Sequence, residues 1–215
     1  GLFRFHVGDI TFSVQPGIGK GSFQSPISGQ VAETEISRIR NLALSAEFGP
    51  WTVRYANLRS KSTIEGVTGF EIKDNFNNIG VVYDKDAWLV MAEYAWRTTN
   101  ETAGLGKLDL KSAYVTTGYR IDKVMPYVTF GRFIDESDTG AMATTENTTE
   151  LGVRWDLYKN IALKAQWDHI TRPSGRFDTP GSPGYAGLFR RTPAGVVTTD
   201  DKPVNVFAVG LDFVF

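Results

Sequence analysis

Apolar and polar residues alternate with a period of two in short stretches along most of the chain. The clearest stretch runs from Val204 to Phe215, with Phe207, Val209, Leu211, Phe213 and Phe215 on one face. Val206, Ala208, Gly210, Asp212 and Val214 fall on the other. Successive strand residues point to opposite sides of a sheet, so this pattern predicts a strand with one continuously greasy side and one small, carboxylate-bearing side. Trp88, Val90, Ala92, Tyr94 and Trp96 stand in the same relation to Leu89, Met91, Glu93, Ala95 and Arg97. A soluble core and a lipid layer both produce this period, so alternation by itself does not choose between them.

Further strands follow from the same reading. Ile161, Leu163, Ala165 and Trp167 alternate with Ala162, Lys164, Gln166 and Asp168, and Leu151, Val153, Trp155 and Leu157 with Glu150, Gly152, Arg154 and Asp156. Others are expected around Val128 and Phe130, from Ala113 to Ile121, Ile79 to Tyr83, Trp51 to Tyr55, Leu42 to Phe48, and Ile10 to Val14. These make about ten strands, each long enough to cross hydrocarbon when tilted. Phe3, Phe5 and Val7 have the opposite parity to Ile10, Phe12 and Val14. Gly8-Asp9 between them therefore predicts a tight turn, with residues 1 to 7 the lower end of a further strand.

The connections carry a second signal. Tight turns near 49–50, 84–86, 122–123 and 158–160 alternate with long connections at 16–36, 60–75, 98–106, 135–146 and 173–203. Short turns at one end and long loops at the other are what a transmembrane barrel shows. Phe48, Trp51, Tyr83, Trp88, Tyr119, Trp155, Tyr158 and Phe215 all fall beside the short turns or the terminus. Rings that are half apolar and half wet favour the headgroup level of a bilayer, which accounts for clustering at one end.

Composition narrows the alternatives. The chain has 215 residues, 41% of them hydrophobic, with a mean hydropathy of -0.20. Its longest wholly apolar stretch, Trp88 to Ala92, is far too short for a spanning helix, whereas a barrel needs only alternate apolar residues. There is no cysteine, hence no disulfide, thiolate metal site or cysteine nucleophile. A net charge of -1 argues against a nucleic-acid partner. No charged start with an apolar run and small-residue cleavage site opens the chain.

The polar faces of the strands hold the candidate chemistry. They gather Arg54, Arg97, Arg120, Arg154 and Lys164 with Glu47, Glu93, Glu150, Asp156, Asp168 and Asp212. Such a mixture in a dry core would be costly unless tightly paired, so it predicts a water-filled interior lined by these residues. The glycine-rich Gly17-Ile18-Gly19-Lys20-Gly21-Ser22 lacks the spacing and following helix of a phosphate loop, and turn and loop chemistry accounts for it. The connection 16–36 that contains it is a candidate for folding inward to narrow the pore. Asp168-His169 looks like an acid–base pair, but neighbouring strand residues point to opposite faces, so neither a catalytic site nor a metal site nor a cofactor is expected. Arg172, Arg176, Arg190 and Arg191 make 173–203 the most basic long connection, fit for a solvated face or for anionic lipopolysaccharide.

The closing VNVFAVGLDFVF, the turn–loop alternation and the aromatic girdle resemble those of general Gram-negative outer-membrane porins. The resemblance implies an all-β, transmembrane, antiparallel up-and-down barrel that acts as a passive channel for ions and small hydrophilic solutes. It also implies a non-enzymatic protein in the cell outer membrane, in contact with lipid and lipopolysaccharide and assembled as a homotrimer. The terminal Phe215 would be read by the barrel-assembly machinery. Single-chain bacterial barrels use even strand numbers. Residues 1–215 are therefore expected to form a single porin-like domain, N-terminally truncated, from a barrel of about 16 to 18 strands. The alternatives are a plugged structural or adhesive barrel and a small outer-membrane barrel enzyme.

Overall fold

Each predicted alternation becomes a strand in the computed structural model, which describes residues 1–27, 30–101, 106–137, 144–175 and 203–213. The strands are β1 (Phe3–Val7), β2 (Ile10–Ile27), β3 (Gln30–Phe48), β4 (Trp51–Ile64), β5 (Glu71–Lys85) and β6 (Trp88–Thr99). They continue as β7 (Asp109–Tyr119), β8 (Val124–Asp135), β9 (Thr144–Tyr158), β10 (Ile161–Gly175) and β11 (Val204–Phe213). All lie in one 11-stranded sheet in chain order, every neighbour antiparallel. Among the described residues β1 pairs only with β2 and β11 only with β10, so the sheet is open. Inside hydrocarbon both edges need strand partners.

The short turns fall where the sequence puts them. Gly8 (φ 58°) and Gly49 (φ 53°) turn the chain in the left-handed region, where glycine carries no Cβ penalty. Asp86 (φ 52°) and Asp122 (φ 54°) do the same at the next two turns of this end, a conformation that aspartate tolerates better than most residues. The predicted strand before Gly8-Asp9 is present: Phe3↔Val14 through Val7↔Ile10 pair in register across that turn.

The long connections are shorter than the sequence suggests. Residues 16–36 are not a loop but the outer part of the β2–β3 hairpin, paired as far as Ile27↔Gln30, and Gly17 to Ser22 lie within β2. Residues 60–75 likewise reduce to 65–70 between β4 and β5. Beyond the lipid level both faces of these strands are mostly polar or glycine, so no period of two is visible in the sequence. A bulge marks the change: the register slips between Gly19 and Gly21 on β2 and between Ser37 and Arg40 on β3, where Arg38 has φ 53°.

The sheet has a concave and a convex face. Arg4, Ser13, Ser45, Arg54 and Asn78 line one groove and Met91, Tyr114, Thr129 and Lys164 another, and the register puts both sets on the same face, the concave one. The convex face carries the greasy positions. Among the described residues only Ala95 and Ala162 are buried apolar side chains. No helix is long and apolar enough to cross a membrane, which says nothing of strands.

Candidate functional site

The register places all the predicted lining residues on the concave face. Ser45↔Arg54↔Gly80↔Glu93↔Tyr114 run across β3 to β7, and Arg154↔Lys164↔Gly210 and Glu150↔Asp168↔Val206 across β9 to β11. Glu47, Arg97, Asp156 and Asp212 fall on the same parity of their strands, and Arg120 projects to this side just after β7.

Toward the short-turn end these charges are paired. Arg120 grips Asp84 with two parallel bonds, Nη1–Oδ1 at 2.7 Å and Nη2–Oδ2 at 2.9 Å. Lys164 Nζ lies 2.6 Å from Asp212, which Arg154 also approaches at 3.6 Å, and Arg154 Nε donates to Asp156 at 2.8 Å. At the other end Arg97 Nε donates to Asp74 Oδ2 at 2.8 Å. Sequence reasoning missed Asp74 and Asp84, because one falls in a stretch without visible alternation and the other was read as part of a turn.

Other charges on this face are left without an ionic partner. Arg54 and Glu47 have no hydrogen bond or ion pair among the described residues, although they share the β1–β5 groove with Arg4. Arg4, on β1, reaches only Ser13 Oγ among the described residues, at 3.4 Å. The carboxylates across the wall are met by neutral groups. Asn78 Nδ2 donates to Glu93 at 3.0 Å and Gln166 Nε2 to Asp168 at 3.2 Å. Uncompensated positive charge therefore gathers on β1 to β4, beside Glu47, and uncompensated negative charge on β6 to β10.

Tyr127 stands opposite Gly152, and its ring lies flat over that glycine: a Cβ there would come within 2.1 Å of the ring. The ring therefore covers the wall instead of projecting from it.

Asp168 and His169 do not form a dyad. His169 Nδ1 is 3.0 Å from Asn205 Oδ1 on the convex face, while Asp168 engages Gln166 on the concave one. No group of three or more His, Asp or Glu side chains among the described residues is placed to hold a metal ion. Phe215 and Arg176, Arg190 and Arg191 lie outside the described residues, as does the side chain of Arg172.

The convex face decides what surrounds the wall. Phe130, Phe207, Val209, Leu211 and Phe213 are each more than half exposed, with Val209 at 76%, and Leu151 is nearly so. Around the short turns, Trp51 packs on Tyr83 at 4.7 Å between centroids and Trp88 on Tyr119 at 4.9 Å, an outward-facing ring of aromatics. Water does not tolerate so wide an apolar surface, and a bilayer requires it.

No family model and no curated protein matches the sequence. Solved structures do match the fold. A loop L8 deletion mutant of OmpT, an outer membrane protein of Vibrio cholerae, superposes with a TM-score of 0.61 at 14% identity, over 99% of this chain and 61% of that one. In-vitro folded OmpT in its trimer form gives 0.57 at 12%, over 99% and 79%. An anion-selective porin from Comamonas acidovorans gives 0.61 at 12%, over 96% and 59%. The fold is that of outer-membrane β-barrel proteins. The chain spans about three fifths of the first and third of these structures.

Proposed function

We propose that this chain forms the wall of a pore in the outer membrane of a Gram-negative bacterium, through which ions and small hydrophilic solutes diffuse passively and without a catalytic step. The observation that carries this reading is a set of charges on the concave face that no ion pair answers. Among the described residues Arg4, Arg54 and Glu47 on β1 to β4, and Glu93, Glu150 and Asp168 on β6 to β10, form no ion pair. Ionised groups left without partners in a dry interior would cost several kcal/mol each, so this face of the wall needs water. Water between separated positive and negative patches is the medium of a diffusion channel, and the transverse field selects solutes by charge and dipole. The likeness to an anion-selective porin supports the reading, and the trimer form of the Vibrio protein supports assembly as a homotrimer.

A plugged structural barrel is the second reading, favoured by the ion pairs at the short-turn end. Single-channel current across a planar bilayer separates the two, using the native protein purified from outer membranes. Stepwise, persistent openings are expected. Silence from protein shown to be folded and inserted would overturn the pore and leave the plugged barrel.

A further inference from the structure

One stretch of the concave wall is apolar. Leu89 and Met91 on β6, Tyr114 on β7, and Met125 and Tyr127 on β8 all take the inward parity and line one groove of about 530 Å³. Its floor offers water few hydrogen bonds, because Thr116 is buried and its hydroxyl pairs with that of Thr129 at 2.9 Å. Two glycines beside the groove let its larger side chains lie along the sheet. A Cβ on Gly118 would come within 3.2 Å of the Met125 sulfur, and one on Gly152 would strike the Tyr127 ring. The result is a flat apolar and aromatic patch on the face that otherwise gathers charge.

The charges around this patch do not balance. Arg154 and Lys164 border the groove toward the short-turn end, and Asp156 and Asp212 hold them there. Glu150 also borders the groove, with Asp168 directly opposite it on β10, and Glu93 stands directly opposite Tyr114. None of these three carboxylates forms an ion pair among the described residues. Two cations are thus matched by two carboxylates, and three further carboxylates remain beside an apolar surface. An anion would be repelled here, and a small inorganic cation would leave the apolar floor wet.

We propose that this patch is a solute subsite of the pore for small organic cations, in which an ammonium group is carried on a flat apolar or aromatic body. The body lies against Leu89, Met91, Met125 and the faces of the tyrosine rings, which removes apolar area from water. The ammonium turns toward Glu150 and Glu93 and is also attracted by the negative faces of the rings. The groove has the volume of a small-molecule site but is open, so the solute is held and then released, as conduction requires. This subsite rests on the pore reading proposed above and gives that pore a preferred class of solute.

The test records single channels of the native full-length protein in potassium chloride and titrates phenethylammonium into one chamber, reading the reversible block of current. Ethylammonium supplies the charge without the ring, and 3-phenylpropionate the ring with the opposite charge. Phenethylammonium is expected to block roughly 10-fold more tightly than either, the contribution of a half-buried ring or of a carboxylate contact. Met91→Ser/Met125→Ser is expected to weaken its block about 5-fold and that of ethylammonium by less than about 2-fold, since ethylammonium has no ring to bury. Met91→Leu/Met125→Leu keeps the apolar area, guards against misfolding as the explanation, and is expected to stay within about 3-fold of the unchanged protein. Glu150→Gln is expected to weaken the block by both cations about 5-fold. Equal block by ethylammonium or 3-phenylpropionate, or block unaltered in the serine variant, would overturn the subsite. Steady openings that phenethylammonium does not block, as when an inward-folded connection already covers the patch, overturn the subsite and leave the pore. Absence of any opening overturns the pore itself and the subsite with it.

Discussion

The ring of Tyr127 occupies the space that a side chain at Gly152 would fill, on the neighbouring strand and directly opposite it. The glycine is thus part of the shape of the concave wall. It lets the Tyr127 ring lie along the sheet.

Gly152→Ala is therefore expected to push the Tyr127 ring off the wall, costing about 1–3 kcal/mol in overpacking and lowering single-channel conductance. In a double-mutant cycle with Tyr127→Ala most of that penalty should vanish, since the clash requires both partners. Additive losses in urea unfolding from lipid vesicles would count against the contact.

Charge reversal of selectivity follows from the uncompensated groups. Glu93→Gln or Glu150→Gln should move the reversal potential in a salt gradient toward anions, and Arg54→Gln toward cations. The permeability ratio should change by less than about 5-fold for each, the limit set by roughly 1 kcal/mol for a unit charge at contact in water. Substitution of Arg120, already neutralised by Asp84, should change selectivity less.

The Arg120–Asp84 pair itself is expected to contribute little to stability. Its side chains are 36% and 52% exposed, so a double-mutant cycle with Arg120→Gln and Asp84→Asn should return about 0.5–1 kcal/mol. A coupling several times larger would mean that this end of the interior is dry, and so would favour the plugged barrel.

Adjacent residues on β11 should respond in opposite ways. Val209→Arg places a charge on the convex face and is expected to cost about 2–4 kcal/mol near the bilayer midplane, while Ala208→Arg, facing the interior, should be far milder. Equal costs, measured by reversible unfolding in lipid, would contradict the assignment of faces.

Most of the fold was legible because lipid imposes a strict rule on one face. Wherever Trp88 to Trp96 or Phe207 to Phe213 meet hydrocarbon, every second residue is apolar, and strand, register and face follow together. The rule ends where the lipid ends. From Gly17 to Ser25 and from Glu33 to Ser37 polar residues and glycines fall on both faces, interrupted only by Ile18, Phe23 and Ile36, and the hairpin reads as a loop. The lining charges were legible by parity, but not their pairing, because Arg97 meets Asp74 on the neighbouring strand and Arg120 meets Asp84 two strands away, relations that only the register defines. The apolar patch of the concave wall was invisible for the same reason: nothing in a linear chain shows that Met91 and Tyr127 line one groove.

With Ala95 and Ala162 the only buried apolar side chains among the described residues, the wall has almost no hydrophobic interior of its own. What a water-soluble domain achieves by packing leucine against leucine, this sheet achieves by packing leucine against acyl chain. Its unfolding free energy is thus a joint property of chain and membrane. A change in lipid length or saturation acts on it much as a cavity-forming substitution acts on an ordinary protein core.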